Sequence, residues 1–76
     1  MILYVFDIRA GDKSKYWRIK RLFYYHLKKI SLNKKIESKT KSVLLVEDSL
    51  EKKMDRLFSK FRKNMELYKF HVEDIS

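Results

Sequence analysis

The chain has no cysteine, no proline and a single glycine in 76 residues. Without cysteine there is no disulfide framework and no thiolate metal site. That absence suits a reducing compartment, and we expect a cytoplasmic protein. With so little proline and glycine, disordered linkers and long structureless loops are not expected. One glycine, Gly11, cannot build a glycine-rich phosphate loop. No apolar run approaches the roughly 20 residues of a membrane-crossing helix. Asp7 and Arg9 interrupt the first apolar run, so no signal peptide is expected. The two histidines, His26 and His71, lack the spacing of a helical metal pair. His26 lies beside an apolar face and reads as a packed structural residue, His71 as a surface one.

What the chain does have is positive charge. Nineteen Lys and Arg against ten Asp and Glu leave a formal net charge of +9. From Lys13 to Lys41 there are eleven basic residues and one acid, Glu37, while the remainder is close to neutral. A positive field concentrated in one stretch suits a polyanion, and nucleic acid is the expected partner. The plainer reading is a solubilising lysine surface. An acidic protein or a membrane surface ranks behind both, and no membrane partner is expected.

A chain of this length is one domain, residues 1–76, with a modest core that dimerisation often supplements. Its organising stretch is Ile2 to Arg9. Ile2, Tyr4, Phe6 and Ile8 alternate with Leu3 and Val5, so the strand is apolar on both faces and reads as central in a sheet. Asp12 or Ser14 caps the helix that follows, from about Lys15 to Ile30. Ile19, Leu22, Phe23, Leu27 and Ile30 form its inner face. Arg18, Arg21, Tyr25 and Lys28 form a stripe on another side, where basic groups meet phosphates and a tyrosine can stack on a base. The competing reading for any aromatic here is core or dimer packing.

Ser31 to Lys41 is a loop or a lysine-guarded edge strand, with Asn33 at the helix exit. Val43 to Val46 is a buried strand. Asp48 and Glu51 have capping-box spacing. Leu50, Met54, Leu57, Phe58, Phe61 and Met65 then mark the inner face of a second helix, with Asn64 as its C-cap. Glu66 to Val72 returns to strand periodicity, Tyr68, Phe70 and Val72 on one face, Leu67, Lys69 and His71 on the other. The order predicts an α+β, ferredoxin-like (βαββαβ) antiparallel sheet with both helices on one face. The weak point is Lys34–Val46, which must supply two strands, or one long kinked strand, without a glycine or proline turn. The open sheet face needs cover, and a second copy of the chain is the simplest source.

Asp7 is the one chemical lead. Hard cations such as Mg²⁺ take oxygen ligands and often need only one or two carboxylates. A lone strand-end acid is too little, but a two-fold axis makes it a pair that could act on a phosphate. The structural alternative is that Asp7 caps the first helix or pairs with Arg9.

Tyr4-Val5-Phe6-Asp7-Ile8 resembles the first-strand signature of the small CRISPR-associated protein 2 family and of the related VapD-type toxins. Lys41-Ser42-Val43-Leu44 is similar to the serine-valine centre of their second strand. Tyr68-Lys69-Phe70-His71-Val72-Glu73-Asp74 resembles the last strand of VapD. The resemblance implies a ferredoxin-like homodimer with two Asp7 residues approaching at its centre. It implies a metal-dependent endonuclease, on RNA ahead of DNA, with Mg²⁺ on Asp7 and Ser42 assisting through a hydrogen bond. Arg9, Arg18, Arg21, Tyr25 and Lys28 would then hold the nucleic acid. Some members act without cutting, as a dimeric bridge in spacer acquisition, so a non-catalytic nucleic-acid-binding homodimer stands as the alternative.

Overall fold

A computed structural model of the chain describes residues 1–30 and 36–73. The expected helix-exit role of Asn33 and the closing Asp74 of the VapD-like strand lie outside the described residues. The elements are β1 (Ile2–Ile8), α1 (Lys13–Ile30), β2 (Ile36–Thr40), β3 (Val43–Val46), α2 (Glu51–Lys60) and β4 (Met65–His71). The four strands form one antiparallel sheet in the order β2-β3-β1-β4. This is the ferredoxin-like βαββαβ arrangement, with β1 central as its two apolar faces require.

Both helices cover the same face. Ile2, Tyr4 and Phe6 of β1 bury against Phe23 and Leu27 of α1 and Met54, Leu57 and Phe58 of α2, with Leu44 and Val46 of β3 alongside. The centre is aromatic. Phe23 lies 5.0 Å from Phe6 and 5.3 Å from Phe58, ring centre to ring centre, and Tyr4 stacks on Phe58 at 5.0 Å. Aromatic side chains bury large areas each, which is how so short a chain closes a core.

Local chemistry sets the element ends. The Asp12 carboxylate accepts the Lys15 N–H at 2.8 Å, so Asp12 rather than Ser14 caps α1. The helix therefore starts at Lys13, a little earlier than the apolar spacing suggests. Residues 36–46 supply two strands, without a glycine or proline between them. The Thr40 hydroxyl accepts the Ser42 N–H at 3.1 Å, and the Ser38 hydroxyl donates to the Thr40 carbonyl at 3.0 Å. These side-chain bonds stabilise the reversal that glycine or proline usually provides.

Two expectations about α2 are corrected. The capping box does not form: Asp48 opens a 3₁₀ turn over Asp48–Leu50, and α2 begins at Glu51 with no side-chain cap. The Asp48 carboxylate is instead held 2.9 Å from the Met1 ammonium. The helix also ends early, at Lys60, followed by a second 3₁₀ turn over Arg62–Asn64. Asn64 does not cap the helix. Its carbonyl accepts the Arg9 N–H at 2.6 Å, and its side-chain amide donates to the Arg9 carbonyl at 3.3 Å. Met65 is thereby drawn into β4, opposite Ile8, rather than onto the helix.

One polar group reaches the core. Tyr4 is fully buried, and its hydroxyl donates to Asp55 Oδ1 at 2.8 Å. Lys69 Nζ donates to Asp55 Oδ2 at 2.9 Å and also pairs with Glu51. This cluster ties α2 to β1 and β4. Burial, then the Asp55 hydrogen bond, raise the Tyr4 pKa well above its ordinary value. The hydrogen bonds to Glu51 and Asp55 raise that of Lys69. Both folded values lie above the unfolded ones, so the folded state holds these protons more tightly. The associated stability is complete below about pH 10 and is lost as pH rises through the folded values. Tyr4→Phe is expected to cost about 1 kcal/mol at neutral pH and to show a shallower alkaline loss of stability than the parent. Urea unfolding followed by circular dichroism between pH 7 and pH 11 measures both; equal alkaline slopes would remove Tyr4 from the account.

Candidate nucleic-acid interface

The face of the sheet away from the helices is bare in the single chain. Register places its side chains in rows across the strands. One row holds Leu45, Leu3 and Phe70; the next holds Val43, Val5 and Tyr68. Tyr68 and Phe70 are each more than half exposed, at 58% and 51%. At the end of this face Asp7 lies opposite Glu66. A periodicity of two thus delivers an apolar block with an acidic pair at its edge.

Arg9 sits between those acids. Its Nε lies 3.2 Å from Asp7 Oδ2, and its NH2 donates to Glu66 Oε2 at 2.9 Å. The Glu66 hydrogen bond, then the Glu66 and Asp7 charges, raise the Arg9 pKa above its ordinary value. All three side chains are at least half exposed, so these pairs add little to stability. Pairing with Arg9 is the structural role foreseen for Asp7. Glu66 is the partner that sequence reading missed, because only strand register brings it beside a residue so distant in the chain. Ser42 lies next to this end of β1: its carbonyl accepts the Phe6 N–H at 2.9 Å.

The donor set of one chain does not fit a Mg²⁺ site. Asp7 and Glu66 offer two hard carboxylates, but a guanidinium is already seated between them. Among the described residues no three of His, Cys, Asp and Glu gather closely enough to hold a metal ion. A cation at Asp7 would therefore compete with the Arg9 guanidinium.

The basic surface is on the other layer. Helix α1 carries seven Lys and Arg and no acid. Arg18 and Arg21 are exposed and share a shallow concavity with Ser14, Trp17 and Leu22. Tyr25 is 54% exposed farther along the helix, with the Lys29 ammonium 4.4 Å from its ring centre. Lys28, two turns beyond Arg21 on the same side of the helix, also lines a groove with Tyr24, Ile36 and Ser38. Arg9 follows the end of β1, outside helix α1, where Asp7 and Glu66 engage it. Helix α1 thus carries Arg18, Arg21, Tyr25 and Lys28 as exposed residues, whereas Arg9 lies outside the helix, paired with Asp7 and Glu66.

Trp17 was not singled out by the sequence, yet it is 56% exposed beside Arg18 and Arg21, with the Lys20 ammonium 5.0 Å from its ring. Its place away from Ile19, Phe23 and Leu27 is legible from helical spacing. Such an aromatic among cations is a stacking platform for a base. His26 is half-buried near Phe61, with ring centres 6.4 Å apart, and His71 is exposed 3.7 Å from Glu51.

Comparison of the chain with family models, with curated proteins and with solved structures finds no match. Among the described residues no helix is long and apolar enough to cross a membrane.

Proposed function

We propose that the protein is a cytoplasmic nucleic-acid-binding homodimer of the CRISPR-associated protein 2 or VapD type. The observation that carries the reading is the acid-free helix α1, which presents Arg18 and Arg21 beside the exposed rings of Trp17 and Tyr25. Arginines meet backbone phosphates, and the rings offer stacking faces to unpaired bases. RNA, which exposes unpaired bases more often than DNA does, is the favoured ligand.

The dimer reading rests on charge as well as on apolar area. A chain with a net charge of +9 cannot associate through its basic helix face without strong repulsion. The bare sheet face is the exception, because its two apolar rows adjoin an end where Asp7 and Glu66 outnumber Arg9. A second copy on this face would need to bury about 800 Å² per chain for a stable interface. Light scattering should give twice the chain mass for the parent and a monomer for Tyr68→Glu/Phe70→Glu. A monomeric parent at micromolar concentration would end the dimer reading.

Binding should be mainly electrostatic. The affinity for single-stranded RNA, read by fluorescence anisotropy, is expected to fall steeply with salt as phosphates release counterions. Arg18→Glu/Arg21→Glu should weaken binding about tenfold or more and flatten that salt dependence. Unchanged affinity would remove α1 as the contact surface.

The catalytic reading, an Mg²⁺-dependent endonuclease, is favoured by one feature. Asp7 stands exposed at the edge of the face that the dimer would close, with the Ser42 backbone alongside. Two-fold pairing would bring a second Asp7, which a single chain does not provide. On this reading the purified protein cleaves RNA with Mg²⁺, and EDTA or Asp7→Asn stops it. Cleavage by Asp7→Asn at the parent rate would mean that the acid is only an ion-pair partner of Arg9.

A further inference from the structure

Helices α1 and α2 leave a groove of about 300 Å³ between them on the outer surface. His26 and Lys29 line it from α1, and Lys53, Arg56 and Lys60 from α2, over a floor that includes Leu57. Four permanent cations and a histidine therefore converge from two elements, with no carboxylate among the lining residues.

The arrangement follows from how α2 sorts its charges. Its two acids, Glu51 and Asp55, are engaged by Lys69 of β4, and Asp55 also by Tyr4. Lys53, Arg56 and Lys60 line the groove beside α1. Among the described residues none of these three has an ion-pair partner, since every acid in contact with a base is engaged elsewhere. Among the described residues the Lys29 ammonium stands over the Tyr25 ring. Like charges gathered in one groove repel one another and contribute nothing favourable to folding. A polyanion lying there would convert that repulsion into attraction.

We infer that this interhelical groove is a second phosphate-backbone contact, into which a nucleic-acid strand runs from the outer face of α1. The inference rests on the nucleic-acid reading above and extends it to a surface that the sequence reading did not assign. Three features favour a backbone over a compact anion. Lys53 and Lys60 lie two helical turns apart, about 10 Å along the axis, which spans a run of phosphates. The groove is an open surface feature in which no buried polar side chain fixes the orientation of a small ligand. Tyr25, with Lys29 on its ring, joins the groove to Arg18 and Arg21, so the basic track is continuous. Lysines on such a track hold the strand without reading its sequence.

The test uses the full chain and a fluorescein-labelled single-stranded RNA of mixed sequence, with anisotropy read from 50 to 300 mM salt. Lys53→Glu/Arg56→Glu/Lys60→Glu is compared with Lys13→Glu/Arg62→Glu/Lys63→Glu, which has the same net charge but leaves the groove intact. All six positions are exposed, and circular dichroism checks that both variants stay folded. The groove variant should bind at least about tenfold more weakly than the control, with a log–log salt slope shallower by about 2. Equal losses in both variants would mean that only net charge matters, and would overturn the groove. A groove variant that binds like the parent, while Arg18→Glu/Arg21→Glu does not, would overturn the groove and leave the α1 interface standing. A parent chain that fails to bind would overturn both.

Discussion

Strand β1 carries apolar residues on both faces, and the helices of its own chain can cover only one. Ile2, Tyr4 and Phe6 go under α1 and α2, which makes Leu3 and Val5 the floor of the other face. The sheet order follows from this strand. A strand apolar on both sides is most stable at the centre, so β3 and β4 pair with it and β2 is left at the edge. The bare face is the direct cost of closing a core with two helices in so short a chain, and it leads to the expectation of a second copy.

The charges are sorted with the same economy. The acids of α2 are drawn to Lys69, where Asp55 also receives the Tyr4 hydroxyl. The acids at the far end of the sheet, Asp7 and Glu66, are drawn to Arg9. Once these pairs are made, little negative charge remains to offset the bases of α1 and of the α1-facing side of α2. The molecule therefore has a nearly balanced sheet face and a strongly positive helix face. One is suited to meeting a copy of itself and the other to meeting a polyanion, and neither demands that the other be altered.

The resemblance to the CRISPR-associated protein 2 and VapD families rests on short stretches, above all Tyr4-Val5-Phe6-Asp7-Ile8. The topology is the ferredoxin-like βαββαβ arrangement that the sequence predicted. The position of Arg9 bears most directly on chemistry. Its guanidinium is ion-paired with the acid that the resemblance singled out.

Most of the architecture was readable from residue order. Alternation in Ile2–Ile8, helical spacing from Ile19 to Ile30 and alternation from Glu66 onward are local patterns, and local patterns survive without knowledge of the fold. The misplaced features depended on distant partners. Asp48 is turned from cap to ion-pair partner by the Met1 ammonium, Asn64 is recruited by the Arg9 backbone, and Glu66 joins Asp7 only through strand register. For the site, the sequence by itself determined that α1 is basic and aromatic, because seven like charges on one helix need no partner to be seen. Only the tertiary structure decided which of those groups share a surface. It paired Arg9 with Asp7 and Glu66, and it joined Lys29 to Lys53, Arg56 and Lys60 across two helices. The physical reason is that a side chain's electrostatic neighbours are set by packing and register, which bring together residues that no spacing along the chain can connect.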